Sequence, residues 1–292
     1  MDTLESLSKA LETTGDIQSI VRTMKALSAV SIRQYERAEA AMADYARTVD
    51  LGLAALLRQR REAGLGLPAG GGGTGREGLI VIGSDRGLCG RYNDTIIRFA
   101  NSRLDGRSAL LSVVGARVAA RMEADGRRAD ALHALPGSVE GVARLVQSLI
   151  LGIDRWTRLH GVGQVSLVHN RREGRVTAQP QAHRLLPLPE NHLRELSDAE
   201  WPGRSLPGFR MDPDRLLSWL VQQRLFVVIY RAMTEALASE HASRLAAMQA
   251  AERNIDERRE DLRRLYRVRR QETITRELLD VISGYEAVGA SD

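Results

Sequence analysis

Two proline-free stretches bracket the chain, one from about Thr3 to Arg61 and one from Asp214 to about Glu286. In the first, apolar residues step by three and four: Leu4, Leu7, Leu11, Ile17, Ile20, Met24, Leu27, then Tyr35, Ala38, Met42, Tyr45, Val49, Leu53 and Leu56. The second repeats the habit with Leu217, Leu220, Val221, Val228, Leu237, Leu245, Met248, Ile255, Leu262, Leu265, Ile274, Leu278 and Val281. Such spacing lines one stripe of a helix, so each stretch predicts one continuous helix, on the order of 85 Å and 105 Å long at 1.5 Å per residue. Gly15 and Asp16 interrupt the first stripe, and Asp212 with Pro213 supplies a start for the second. A compact domain cannot bury rods of that length by itself, so the stripes need each other or a partner.

Between the rods the composition changes twice. A glycine cluster, Gly64 to Gly78, contains four glycines in a row at 70–73 and predicts a solvated linker. Strand and helix signals then alternate: Leu79 to Ile82, Arg91 to Arg103, Ala109 to Val114, Ala116 to Asp125, Ala129 to Leu135 and Ser138 to Leu159. Gln164 to His169 and Arg175 to Leu185 follow, flanking a Glu173-Gly174 turn, and the order argues for a small α/β module with a partly parallel sheet. Pro187, Pro189, Pro202, Pro207 and Pro213 punctuate the next stretch, which predicts irregular chain. The expected fold is therefore α+β with an α/β part: a long antiparallel coiled coil of N- and C-terminal helices plus a small Rossmann-like domain. The expected division is a helix at 1–62, a linker at 63–78, an α/β foot at 79–190, an irregular connection at 191–213, a helix at 214–287 and a tail at 288–292.

Composition fits rods better than a globule. Aromatic residues make up 4% of the 292 residues, so burial rests on Leu, Val, Ile and Ala instead of the largest apolar side chains. The net charge of +5 is spread among interspersed acids, unlike the dense stripe of a nucleic-acid binder. Lys9 and Lys25 are the only lysines; arginine provides the rest of the basic set, which suits planar contacts to carboxylates. High-GC base composition gives the same skew. Arginines crowd the stretch from Arg253 to Arg270, either as a solvated face or as a face met by a partner. A single cysteine, Cys89, excludes an internal disulfide and points to a reducing compartment. The N-terminus lacks the pattern of a signal peptide, and no apolar run is long enough to span a bilayer.

Candidate chemistry is sparse. The segment Gly83 to Gly90 follows a strand as a phosphate loop does, but its glycines fall at 83, 87 and 90, which is not the dinucleotide spacing, and no Gly-Lys-Ser/Thr follows. A structural turn is the better account. The six histidines form no metal-binding spacing, and Cys89 has no evident histidine and acid partners, so neither a metal, a cofactor nor a catalytic residue is expected. Neighbouring acids such as Glu260 and Asp261 sit among arginines that pair with them more readily than they do acid–base work.

Four segments carry a resemblance: Thr23 to Ala29 (TMKALSA); Ser84 to Gly90 (SDRGLCG) with Asn93; Leu185 to Pro189 (LLPLP); and Leu237 to Met248 together with Arg269 to Gly284. With these motifs in this order the chain resembles the γ subunits of F-type ATP synthases, the central shaft of the F1 motor. The resemblance implies a rotor without catalytic residues of its own. ATP chemistry takes place on the β subunits of a surrounding α3β3 ring, and the shaft couples it to ion flow, H+ or in some branches Na+, through Fo. Expected partners are the α and β subunits, ε beside the foot and the c-ring, with no nucleic acid. Membrane association is through Fo only, at the cytoplasmic face of a bacterial cell membrane. Carried over residue by residue, Met24, Glu240 and Arg244 resemble a contact to a β-subunit loop, and Arg270, Gln271 and Thr275 an upper contact to the ring. Asp85, Arg86, Gly87, Leu88, Cys89 and Gly90 form the structural foot signature, and Phe209 and Arg210 fall where the c-ring is met. Departures at Arg91-Tyr92, at 29–32 and at Tyr285-Glu286 imply a divergent bacterial form, such as the alternate N-type F-ATPases. The competing expectations are a free-standing α/β nucleotide-binding enzyme with helical oligomerisation arms, and a coiled-coil scaffold binding nucleic acid.

Overall fold

The computed structural model describes residues 3–64, 66, 76–104, 109–174, 176–201, 203–205 and 207–289, with side chains to 283. They form two compact units: a body, 28–244, and a terminal pair made of the two chain ends, 1–27 and 245–292. Most of the glycine-rich linker expected at 63–78 and the end of the tail expected at 288–292 lie outside the described residues. Among the described residues no helix is long and apolar enough to cross a membrane.

The elements are α1 (Leu4–Glu62), β1 (Glu77–Ile82), α2 (Tyr92–Leu104), β2 (Ala109–Val114), α3 (Ala116–Ala124), β3 (Ala131–His133), α4 (Val139–His160), β4 (Gln164–Glu173), β5 (Val176–Leu186), α5 (Glu190–Asp198) and α6 (Pro213–Gly289). The sheet order is β3-β2-β1-β4-β5, parallel except for β5, which pairs antiparallel with β4. The run Leu79–Ile82 is apolar without alternation because both of its faces are covered. Ile80 and Ile82, with Leu167 of β4, pack under α4 (Val142, Val146, Leu149, Ile153) and α6 (Ile229, Met233, Leu237). Leu79 and Val81, with Val113 and Val168, pack under α2 (Ile96, Ile97, Ala100) and α3 (Val118, Met122). A third cluster joins Val49, Leu53 and Leu56 of α1 to Leu220 and Val227 of α6.

One expectation fails in the body. The connection at 191–213 is not irregular throughout, since α5 occupies Glu190–Asp198. Pro189 stands before its first turn, where a missing N–H costs nothing, and Leu193 and Ser197 bury one turn apart.

In the terminal pair, the buried and half-buried positions of α1 include Leu7, Leu11, Thr14, Gln18, Val21 and Lys25; those of α6 include Met248, Glu252, Ile255, Arg259, Leu262, Tyr266, Arg269 and Thr273. Both series step by three and four, the seam of a coiled coil. The face is the one expected at Leu4, Leu7, Leu11, Met24, Leu245, Met248, Ile255 and Leu262, and departs from it elsewhere. Ile17, Ile20 and Leu27 are 46%, 58% and 63% exposed, and the seam residues Gln18, Val21 and Lys25 sit one position, about 100°, further round the helix. On α6, likewise, Leu265, Ile274, Leu278 and Val281 are exposed. Polar side chains satisfy one another across the seam: Gln18 Nε2 donates to Asp256, Arg259 donates to Gln18 Oε1, and Lys25 and Arg22 both meet Glu252. The Lys25 hydrogen bond holds the Glu252 carboxyl below its ordinary range.

Candidate functional site

The foot signature lies just beyond the C-terminal end of β1, between β2 and β4. This is the switch point of the sheet, where open α/β proteins bind their ligands. Here the loop is occupied by its own neighbours. Asp85 accepts from the Ala116 N–H at the start of α3 (2.8 Å) and from the Leu135 N–H (2.9 Å), so a carboxylate takes the backbone donors that an incoming anion would use. Asn93 accepts from the Ser84 N–H (3.1 Å) and donates to Ser84 Oγ (2.7 Å), which donates in turn to the Arg86 carbonyl (2.7 Å). Gly115, at φ 113°, runs so close that a Cβ would stand 2.8 Å from the Ser84 carbonyl oxygen, which is why the position takes glycine. Cys89 is buried, and burial pushes its thiol up. Leu88 adopts φ 62° and is exposed.

The same loop is bonded to α6. Arg244 donates to the Gly87 carbonyl (3.4 Å) and pairs with Glu240 one turn before it. Both side chains are buried, and burial pushes the Glu240 carboxyl up against the pull of Arg244. The pair expected to meet a partner therefore lies inside the body and holds the loop to the helix. The departure at Arg91-Tyr92 has a local reason too: the Tyr92 hydroxyl donates to the Ala236 carbonyl of α6 (3.0 Å), and Asn170 donates to the Tyr92 carbonyl (2.9 Å).

The other expected contacts separate. Arg270, Gln271 and Thr275 are exposed on α6 in the terminal pair, and Met24 is half-buried on α1. Arg210 is exposed, but Phe209 packs against the cluster of Val49, Leu53 and Leu56, and the Pro207 carbonyl accepts from Gln59 (3.2 Å). Phe209 is half-buried there.

Sequence reasoning missed one cluster. His169 of β4, His183 of β5 and Glu235 of α6 bring donor atoms within 4.8 Å of one another. His169 Nε2 lies 2.9 Å from Glu235 Oε2, and the two imidazoles stack with centroids 5.2 Å apart. Arg231 (3.1 Å) and Arg171 (3.6 Å) reach the other oxygen of Glu235, and Arg231 also meets Glu39 of α1 (3.3 Å). Burial works to raise the Glu235 carboxyl, but the His169 hydrogen bond and the two guanidiniums prevail and hold it at about 2. Burial, then the charge of Glu235, pushes Glu39 up; burial lowers His183. A groove of about 740 Å³ opens beside them, lined by Glu39, Asp50, His183 and Arg231 among others. The donor set could hold a metal ion, yet two guanidiniums already supply the positive charge. No signal in the sequence pointed to it, because the three residues are far apart in the chain.

Together these features define a class: an α/β module whose ligand crevice is filled by its own side chains and bonded to a long helix. The ATP synthase family model matches residues 3–288, and the chain belongs to the ATP synthase gamma family. It is 30% identical over 306 residues to the ATP synthase gamma chain of Granulibacter bethesdensis, covering 99% of this chain and 100% of that one. The gamma chain of Heliobacterium modesticaldum is 28% identical over 300 residues, with 99% and 100% covered. A chain in the OSCP/F1/c-ring structure of the Euglena gracilis mitochondrial ATP synthase has the same fold, with a TM-score of 0.66 at 19% identity over 99% of this chain and 95% of that one. So does a chain of the Tetrahymena thermophila central stalk and c-ring, with a TM-score of 0.56 at 19% identity over 80% and 99%.

Proposed function

We propose that this chain is the rotor shaft of a bacterial F1 sector, turning within the ring of α and β subunits and coupling ion flow through Fo to ATP synthesis or hydrolysis. It performs no chemistry itself. The ATP is handled on the β subunits, and the chain is peripheral at the cytoplasmic face of the membrane, held there through Fo. The observation that carries this assignment is the terminal pair, whose seam mixes polar and apolar residues while Ile17, Ile20 and Leu27 face outward. A helix pair with no further partner would not keep so many large aliphatic side chains in water. An enclosing ring supplies what such an outer face lacks. Arg270, Gln271 and Thr275 form the upper contact and Met24 a contact lower on the shaft. Glu240 and Arg244 act on a β-subunit loop only by way of the signature loop they hold. Epsilon lies beside the sheet, and the c-ring is met near Arg210.

Co-expression with the α and β subunits from the same organism tests the assignment. A stable complex with one copy of this chain and ATPase activity is expected, while the chain alone hydrolyses nothing. Active α/β hexamers that form and turn over equally well without the chain would overturn it.

A further inference from the structure

Within the body, α6 meets the α/β module through two kinds of contact. One is apolar: Ile229, Met233 and Leu237 against Ile80, Ile82 and Leu167. Burial of this kind is strong but has no direction, and a helix that slides by a fraction of a turn keeps most of it. The other is a polar row. Glu235 meets His169 and Arg171 on β4, the Ala236 carbonyl accepts from Tyr92 of α2, Ser239 donates to the Thr177 carbonyl of β5, and Arg244 donates to the Gly87 carbonyl. Directional bonds to charged, desolvated groups do not survive sliding, so this row fixes where α6 can sit along the sheet.

Glu235 differs from the rest of the row in the number of elements it joins. His169 and Arg171 reach it from β4, and Arg231 bridges it to Glu39 of α1. It is 6% exposed. Stacking of His183 on His169 holds the ring that faces it, and Arg172 adds a direct β4–α1 pair with Glu36 (3.1 Å).

We propose that Glu235 is a torque clamp: a buried carboxylate that locks α6 and α1 to strand β4, so that turning force passes between the module and the helices without slip. The clamp rests on the rotor assignment. Glu235 is a positioning residue, since the reacting atoms lie on other subunits.

The test is made in the assembled F1Fo complex in vesicles, measuring ATP hydrolysis and ion pumping on the same sample. In Glu235→Gln the complex hydrolyses ATP, but ions pumped per ATP fall by about twofold or more. An unchanged ratio in a fully assembled Glu235→Gln complex overturns the clamp. Should that variant fail to assemble, Arg171→Ala with Arg231→Ala takes its place, because both side chains are about half exposed. The ratio is expected to fall there as well, and to recover in Arg171→Lys with Arg231→Lys; an unchanged ratio in the double alanine variant equally overturns the clamp. A purely structural role would lower yield or melting temperature and leave the ratio alone. If the wild-type complex hydrolyses ATP without pumping, it is the rotor assignment that fails.

Discussion

The body and the terminal pair use the same two helices in opposite ways. In the body, α1 buries Ile32, Tyr35, Val49, Leu53 and Leu56, and its charged residues reach neighbours at the edges, as Arg224 of α6 reaches Asp50 (3.3 Å). In the terminal pair Gln18, Lys25, Glu252 and Arg259 share the seam with Leu7, Leu11, Val21, Met248, Ile255 and Leu262, while Ile17, Ile20, Leu27, Leu265, Ile274, Leu278 and Val281 face out. A helix pair can be registered by polar seam contacts, at a cost in stability compared with an apolar seam. The body thus buries its large apolar residues within itself, and the terminal pair leaves several of its own exposed.

Mutations in each should separate the two. Met233→Ala, at a fully buried position beneath the sheet, is expected to lower stability by about 2–5 kcal/mol in urea unfolding. A loss well below that range would mean the body is not packed as described. Asp85→Ala leaves two backbone donors without their acceptor and should cost about 1–3 kcal/mol, with Asp85→Asn in between. If Asp85→Ala instead created affinity for phosphate, the loop would be a masked anion site and not a joint.

Acid should affect the body in two windows. Burial, with Arg244 nearby, lowers His241 from 6.5 to about 4, so the unfolded chain takes up a proton there before the folded one does. That contribution is complete above pH 6.5 and is lost as pH falls toward 4. Glu235, held at about 2 against 4.5, adds stability that is complete above pH 4.5 and is lost as pH falls toward 2. Replacing His241, which stacks on Tyr35, with Gln should make the upper window shallower, leaving the shares of His183 and His133, which burial also lowers, and should leave the lower window as it is. A pH–stability curve unchanged by His241→Gln would contradict this. The smallest effect on stability belongs to the terminal pair: Ile17→Ser with Ile20→Ser should change the unfolding free energy of the chain by less than about 0.5 kcal/mol. The same pair of changes should sharply reduce recovery of the complex with the α and β subunits.

The sequence made the architecture legible where composition was unambiguous. An unbroken apolar run announced β1, proline and glycine marked the ends of the module, and steps of three and four announced both long helices. Around 17–27 it put Ile17, Ile20 and Leu27 inside because the reading rule assigns apolar residues to the inside, and there Gln18 and Lys25 take inside positions beside Val21. Helix α5 escaped because prolines on either side dominate the stretch and it buries only Leu193 and Ser197. The signature loop was readable as a turn, but not the direction of its bonds, since Asp85 reaches N–H groups 31 and 50 residues away. The cluster around Glu235 was invisible for the same reason: its members come from four elements and share no spacing.

On the rotor assignment, the outward aliphatic face of the terminal pair is covered only in the assembled motor. A single cysteine at Ile20 tests it directly, because Cys89, the native cysteine, is buried with its thiol pushed up and contributes little background. Maleimide should label Ile20→Cys readily in the free chain and at least about tenfold more slowly in the complex with the α and β subunits. Leu151→Cys, on an exposed turn of α4 in the body, serves as the control and should label at similar rates in both. Equal labelling of Ile20→Cys in the free and assembled states would contradict the account.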